Sequence, residues 1–313
     1  MPLRSQVSNR VRTVVPFLAL LTAIVLAAAC SLKTMAVKSV ANTLSDTGDV
    51  FTRDDDPDLI RDATPFALKL YESLLESVPN HVPLLISTCG SFTQYGYAFL
   101  EAEADGLDSS KRGEATHLRD RALKHYLRGR GYCLRALDVR FGKGTSQALL
   151  QDPTTAVAKA RKDDVPLLYW SAASWGAAVS LGLDRPDLAV DFPTVRALAD
   201  RALALDPQWN KGAIHELMIT LDSLPEALGG NVDRARAHFK TAVEIQKGLS
   251  PGPYVALATG VAVPTQDRAE FERLLKEALT IDPEKDPSNR LVILVTQRRA
   301  RVLLDRIDER FSK

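Results

Sequence analysis

His215-Glu216 begins the spacing of a helical zinc site, in which histidines at i and i+4 share one face and hold the metal while the intervening glutamate serves as base. Position 219 is Ile219, so the second ligand is missing. His81, His117, His125 and His238 are scattered without ligand spacing, and no Cys-x-x-Cys pair occurs. Gly142-Lys143-Gly144-Thr145 has part of the composition of a phosphate-binding loop. There, however, Gly144 stands where Ser or Thr must follow the lysine, Leu137 replaces the leading glycine, and no strand precedes the segment. Nucleophilic hydrolysis is read as having no starting point. Asp163-Asp164 are adjacent carboxylates on a polar loop, where water is their expected partner. No catalytic residue, metal or cofactor is expected, and the chain reads as a binder instead of an enzyme.

The aromatic residues are better placed for binding. Tyr169, Trp170 and Trp175 fall in one helical stretch in which Ser171, Ala172, Ala173 and Ser174 keep the remaining surface small. Large rings beside small residues make either a tight helix crossing or the wall of an apolar cavity, and each buried indole N–H wants a partner. Trp209-Asn210, directly after Asp206-Pro207, is a second candidate wall where one helix turns into the next. Tyr169, Trp170, Trp175, Trp209, Asn210 and His215 are the expected cavity residues. Apolar walls with a few polar groups suit a hydrophobic organic acid.

The elements that must position these residues are helices. Apolar residues recur at three- and four-residue intervals with no sustained alternation, which predicts an all-α fold. In Asp54-Asp55-Asp56-Pro57, aspartate before proline is an N-cap followed by the residue best tolerated at the first helical position. Long helices are predicted near residues 81–104 and 112–141, with a loop-containing segment at 142–164. Leu75, Leu203 and Leu279 each precede a proline by four residues, and Ala-Leu-Ala-Leu-Asp-Pro and Ala-Leu-Thr-Ile-Asp-Pro resemble the end of a tetratricopeptide unit. Ala235, Phe239 and Ala242 add the spacing of that repeat's second helix. The proline intervals are not multiples of one repeat length, so an irregular tetratricopeptide-like helical-repeat domain is expected over residues 54–313.

The first residues set an address. Arg4, Arg10 and Arg12 precede an apolar run from Val14 to Ala29, which ends in Leu26-Ala27-Ala28-Ala29-Cys30. This order is that of a secretory signal, and its end resembles the lipobox of bacterial lipoproteins. Residues 1–29 are therefore expected to be removed and Cys30 to carry lipid, with residues 30–53 forming the anchor, a linker and a helix. The run is shorter than the ~20 residues of a spanning helix. Losing the three arginines takes 40 Lys and Arg to 37 against 39 Asp and Glu. Such a balance gives no reason to expect nucleic acid. Cys89 and Cys133 would face an oxidising space, on neighbouring helices, but counting back from the connecting loop puts them out of register. They are read as two buried thiols.

Tyr169-Trp170 with Trp175, then Ala202-Leu203-Ala204-Leu205-Asp206-Pro207 with Trp209-Asn210-Lys211-Gly212-Ala213 and His215-Glu216, then Leu228-Gly229-Gly230 running into Arg234-Ala235 and His238-Phe239, resemble the T component of tripartite ATP-independent periplasmic (TRAP) transporters. Further matches in the same order are Pro65-Phe66-Ala67-Leu68-Lys69, Tyr95-Gly96-Tyr97-Ala98-Phe99, Tyr126-Leu127-Arg128, and Pro251-Gly252-Pro253-Tyr254-Val255 leading to Gln266-Asp267-Arg268-Ala269-Glu270-Phe271. The resemblance implies a lipid-anchored, homotrimeric periplasmic protein with a cavity through its helices. It implies a periplasmic substrate-binding protein as partner and a hydrophobic small-molecule ligand, an apolar carboxylate. Ser31 after the lipid site favours the outer membrane over the inner. The competing expectation is a helical-repeat lipoprotein that scaffolds an envelope complex.

Overall fold

The computed structural model describes residues 35–45, 48–182 and 185–311. The signal and lipidation expectations, Cys30 included, lie outside the described residues. Among the described residues every regular element is helical and none is a strand. The longer helices are α1 (Pro57–Ser77), α2 (Val82–Tyr95), α3 (Arg112–Phe141), α4 (Val165–Leu181), α5 (Phe192–Leu205), α6 (Trp209–Asp222), α7 (Val232–Ile245), α8 (Gly252–Leu257), α9 (Arg268–Thr280) and α10 (Arg290–Asp305). Asp56 caps α1, accepting from the Asp58 and Leu59 amides at 3.0 Å each, which satisfies donors that have no partner within the helix.

Two helices are not uniform. α2 passes through a π-helical turn, Gly96–Glu101, into the short helix Ala102–Gly106, and α8 passes into a second one, Ala258–Ala262. π-turns widen a helix locally and often mark functional sites. α4 is apolar on every side, with Leu168, Ala172, Ser174, Ala178 and Val179 wholly enclosed. A helix of that composition belongs in the interior of the array.

Successive helices pack on one another along the chain, and α10 then returns to α1 and to Ala102–Gly106, so the array closes on itself. Arg298 and Arg299 of α10, and Arg306 just past its end, fasten the closure. Arg298 donates to both carboxylate oxygens of Asp58, at 2.8 and 3.1 Å. Arg299 donates through Nη2 to Asp105 at 2.7 Å, and Arg306 donates to the Asp105 and Leu107 carbonyls. The Arg298 pair is half-exposed and contributes little. The Arg299 pair is buried on both sides, so losing one partner would strand a charge at about 3–5 kcal/mol. Burial would raise the Asp105 pKa, but Arg299, Arg310 and Arg119 together hold it below the usual range.

Two expectations are corrected. Cys89 of α2 and Cys133 of α3 form a disulfide, with Cα atoms 5.6 Å apart, instead of standing as separate thiols. The register count assumed an unbroken α-helix, whereas the π-helical turn lies between Cys89 and the connection to α3 and takes more residues per turn. The segment 142–164 is less open than expected. It folds into the short helices Thr145–Gln151 and Pro153–Val157. Asp164 is buried there, accepting from Arg140 at 2.6 Å and from the Arg161 amide at 2.8 Å. The glycines of the rejected phosphate loop, Gly142 and Gly144, have positive φ and make the turn out of α3.

Replacing both Cys89 and Cys133 by alanine is expected to lower stability by about 4 kcal/mol on the chain-entropy account of a cross-link spanning 44 residues. Urea unfolding of the two chains measures it. A midpoint unchanged from that of the parent would exclude a formed disulfide.

Candidate functional site

The helices surround a cavity of about 480 Å³, partly open to solvent and within the range of small-molecule sites.

Each wall is one face of a helix. α4 supplies Tyr169, Trp170, Ala173, Gly176, Ala177 and Ser180, α10 supplies Leu291, Val292, Val295, Thr296 and Arg299, and α6 supplies Glu216, Leu217, Thr220 and Leu221. The first π-helical turn adds Tyr97, Ala98, Phe99 and Glu101. Tyr169 meets Trp170 edge to face at 5.0 Å and Trp209 at 4.7 Å, so three aromatic rings form one stiff wall. Gly90 makes room for it, because a Cβ there would come within 2.9 Å of the Trp170 ring.

Polar groups enter this apolar space from three sides. Burial pushes the Glu216 carboxyl up to about 7, with a hydrogen bond from Gln246 opposing the shift. Gly252 admits Glu216, since a Cβ there would lie 2.3–2.5 Å from the carboxyl group. Arg299 lies over the Tyr97 ring at 4.6 Å, and its Nε and Nη1 are buried without a hydrogen-bond partner. The Tyr126 hydroxyl donates to Glu101. Burial first, and then the nearby Glu101 charge, raises the Tyr126 pKa well above its ordinary value.

The residues expected from sequence separate into groups. Tyr169 and Trp170 line the cavity, and Trp209 backs Tyr169. Trp175 lies on the other face of α4, 2% exposed, donating its N–H to Asp191 at 3.0 Å beneath Arg130. Asn210 is exposed, in a left-handed run with Lys211 and Gly212 at the start of α6. His215 faces His238, with Nδ1 atoms 2.8 Å apart, and His238 is 3.6 Å from the buried Asp222. Burial lowers both histidine pKa values, which keeps the pair neutral. Gly248-Leu249-Ser250-Pro251-Gly252 does spell Gly-x-Ser-x-Gly, contrary to the reading that hydrolysis has no starting point. It connects two helices with no strand before it, and the Ser250 hydroxyl accepts from the Gly252 amide at 3.3 Å, so it lacks the setting of a nucleophile elbow.

Tyr97, Glu216 and Arg299 were not singled out from sequence. Glu216 adjoins His215 and Tyr97 sits inside a quoted motif, but nothing in an arginine of an amphipathic helix distinguishes an inward one. Among the described residues no three His, Cys, Asp or Glu gather as a metal set, and no helix is long and apolar enough to cross a membrane.

The protein is all-α among its described residues, and its helices surround a cavity with apolar walls and a few polar groups. The sequence model of the TRAP transporter T-component matches residues 53–311, and the chain belongs to that family of transport components. It is also similar to an uncharacterized protein of Treponema pallidum (strain Nichols), 30% identical over 310 residues that span 91% of this chain and 94% of that one.

Ala173→Phe is expected to fill the cavity, weakening binding of an environment-sensitive apolar dye by about tenfold or more with the melting temperature unchanged or raised. Fluorescence titration and thermal unfolding check the two halves. Trp175→Ala is expected to cost about 3–5 kcal/mol of stability through lost core packing, read by urea unfolding, with dye affinity retained in the folded fraction.

Proposed function

We propose that the chain is a non-catalytic T component, held by lipid on Cys30 at the periplasmic face of a bacterial membrane, the outer one in preference to the inner. There it docks a substrate-binding protein and shelters or passes an apolar organic acid. The largely apolar cavity with its few inward polar groups is the observation that carries this reading. The buried disulfide supports an oxidising compartment, and the order of basic region, apolar run and Cys30 supports the anchor. A homotrimer is part of the proposal and rests on the family resemblance. Three lipidated subunits would attach far more firmly than one acyl chain allows.

The envelope scaffold is the second reading. An extended groove holding a peptide segment would favour it, whereas a cavity of about 480 Å³ favours a small molecule.

Affinity capture of the lipidated protein from its native envelope is expected to recover a periplasmic substrate-binding protein. Recovery of assembly proteins without one would favour the scaffold. Sedimentation of the chain from Ser31 is expected to give a trimer at micromolar concentration, and a stable monomer would count against the assembly. Cys30→Ala is expected to abolish lipid labelling and release the protein from the membrane fraction.

A further inference from the structure

We propose that Glu216, which lines the cavity together with Tyr97 and Tyr169, is its head-group site, where it shares a proton with the carboxylate of an apolar monocarboxylic acid and so couples ligand binding to uptake of one proton. The proposal rests on the organic-acid reading of the cavity and assigns the residue that reads the acid.

Glu216 reaches the cavity from α6 with Gln246, just past the end of α7, as its hydrogen-bond partner, and no cation contributes to its titration. The first π-helical turn presents Tyr97 and α4 presents Tyr169, both close enough to feel a charge on Glu216. α8 contributes the backbone at Gly252, which lacks a side chain. The neighbouring His215 is turned away to His238. Arg299 of α10 stands beyond the Tyr97 ring, with Asp105 and Glu101 near its guanidinium.

An anion without a cationic partner in an apolar wall is unfavourable, so the carboxyl holds a proton instead. This is the physical content of its pKa of about 7. A protonated carboxyl donates one hydrogen bond, and an entering carboxylate accepts it, leaving one proton between two carboxyl groups. A quaternary ammonium head group has no acceptor for that hydrogen bond, which selects the acid over the cation.

The sign follows from the proton count. Below Glu216's own pKa the free protein already carries the proton, so affinity is flat down to the ligand's pKa. Above it, each binding event takes a proton from bulk solution, and affinity falls about tenfold per pH unit.

The test uses decanoate and the chain from Ser31, which contains every described element and its core. Titration calorimetry is expected to give binding about 30-fold weaker at pH 8.5 than at pH 6. Buffers of different ionisation heat should report uptake of one proton per ligand at the higher pH. Glu216→Gln has no proton to lose, so its affinity for decanoate should not change between pH 6 and pH 8.5. Calorimetry on the unmodified chain decides the matter even if the variant fails to fold. Decanoate binding with no pH dependence and no proton uptake would overturn the proposal alone, as would preference for decyltrimethylammonium. Absence of decanoate binding at every pH would overturn the organic-acid reading together with it.

Discussion

The buried ion pair between Arg299 and Asp105 is the contact on which the enclosure depends. It joins the last long helix to the segment that follows the first π-helical turn, and so converts a linear run of helices into a closed wall. Asp105 is also held by Arg119 at 3.1 Å, which leaves it within a network instead of a single pair. Such an arrangement gives little net stability over an apolar alternative, but it fixes one register of α10 against Ala102–Gly106. The positions of Val295, Thr296 and Arg299 along the cavity follow from that register.

Within the enclosure, electrostatics and packing have divided the work. Trp175, Arg130 and Asp191 complete one another on the outer face of α4, and His215, His238 and Asp222 do so between α6 and α7. On the inner face Glu216 has one amide partner, Gln246, and no cation beside it. Buried polar groups are ordinarily satisfied within the fold. A carboxyl group that faces a cavity with no cation beside it is the feature that separates this site from the core around it.

The sequence made the helical class legible because its apolar spacing is sustained and its caps are strong, as at Asp56. Helix α3 falls within the limits expected from periodicity alone. Tyr169 and Trp170 were legible too, since rings beside Ala173 and Gly176 have to line either a crossing or a cavity. Trp175 has the same neighbours in sequence and the opposite orientation, which only the packing of α4 decides. The disulfide was misread because a π-helical turn has no composition of its own and yet moves every residue before it out of the expected register. Glu216 and Arg299 are charged residues on amphipathic helices, and which of their faces turns inward is settled by closure of the array, a long-range event that local spacing does not encode.

The central claim is that this enclosure holds a small amphipathic acid. Native mass spectrometry of the protein taken gently from its own envelope tests it most directly, followed by identification of any molecule released on unfolding. The account predicts one organic acid with an apolar body per chain. A protein that is consistently empty when isolated without detergent exchange, or that carries a peptide instead, would contradict it.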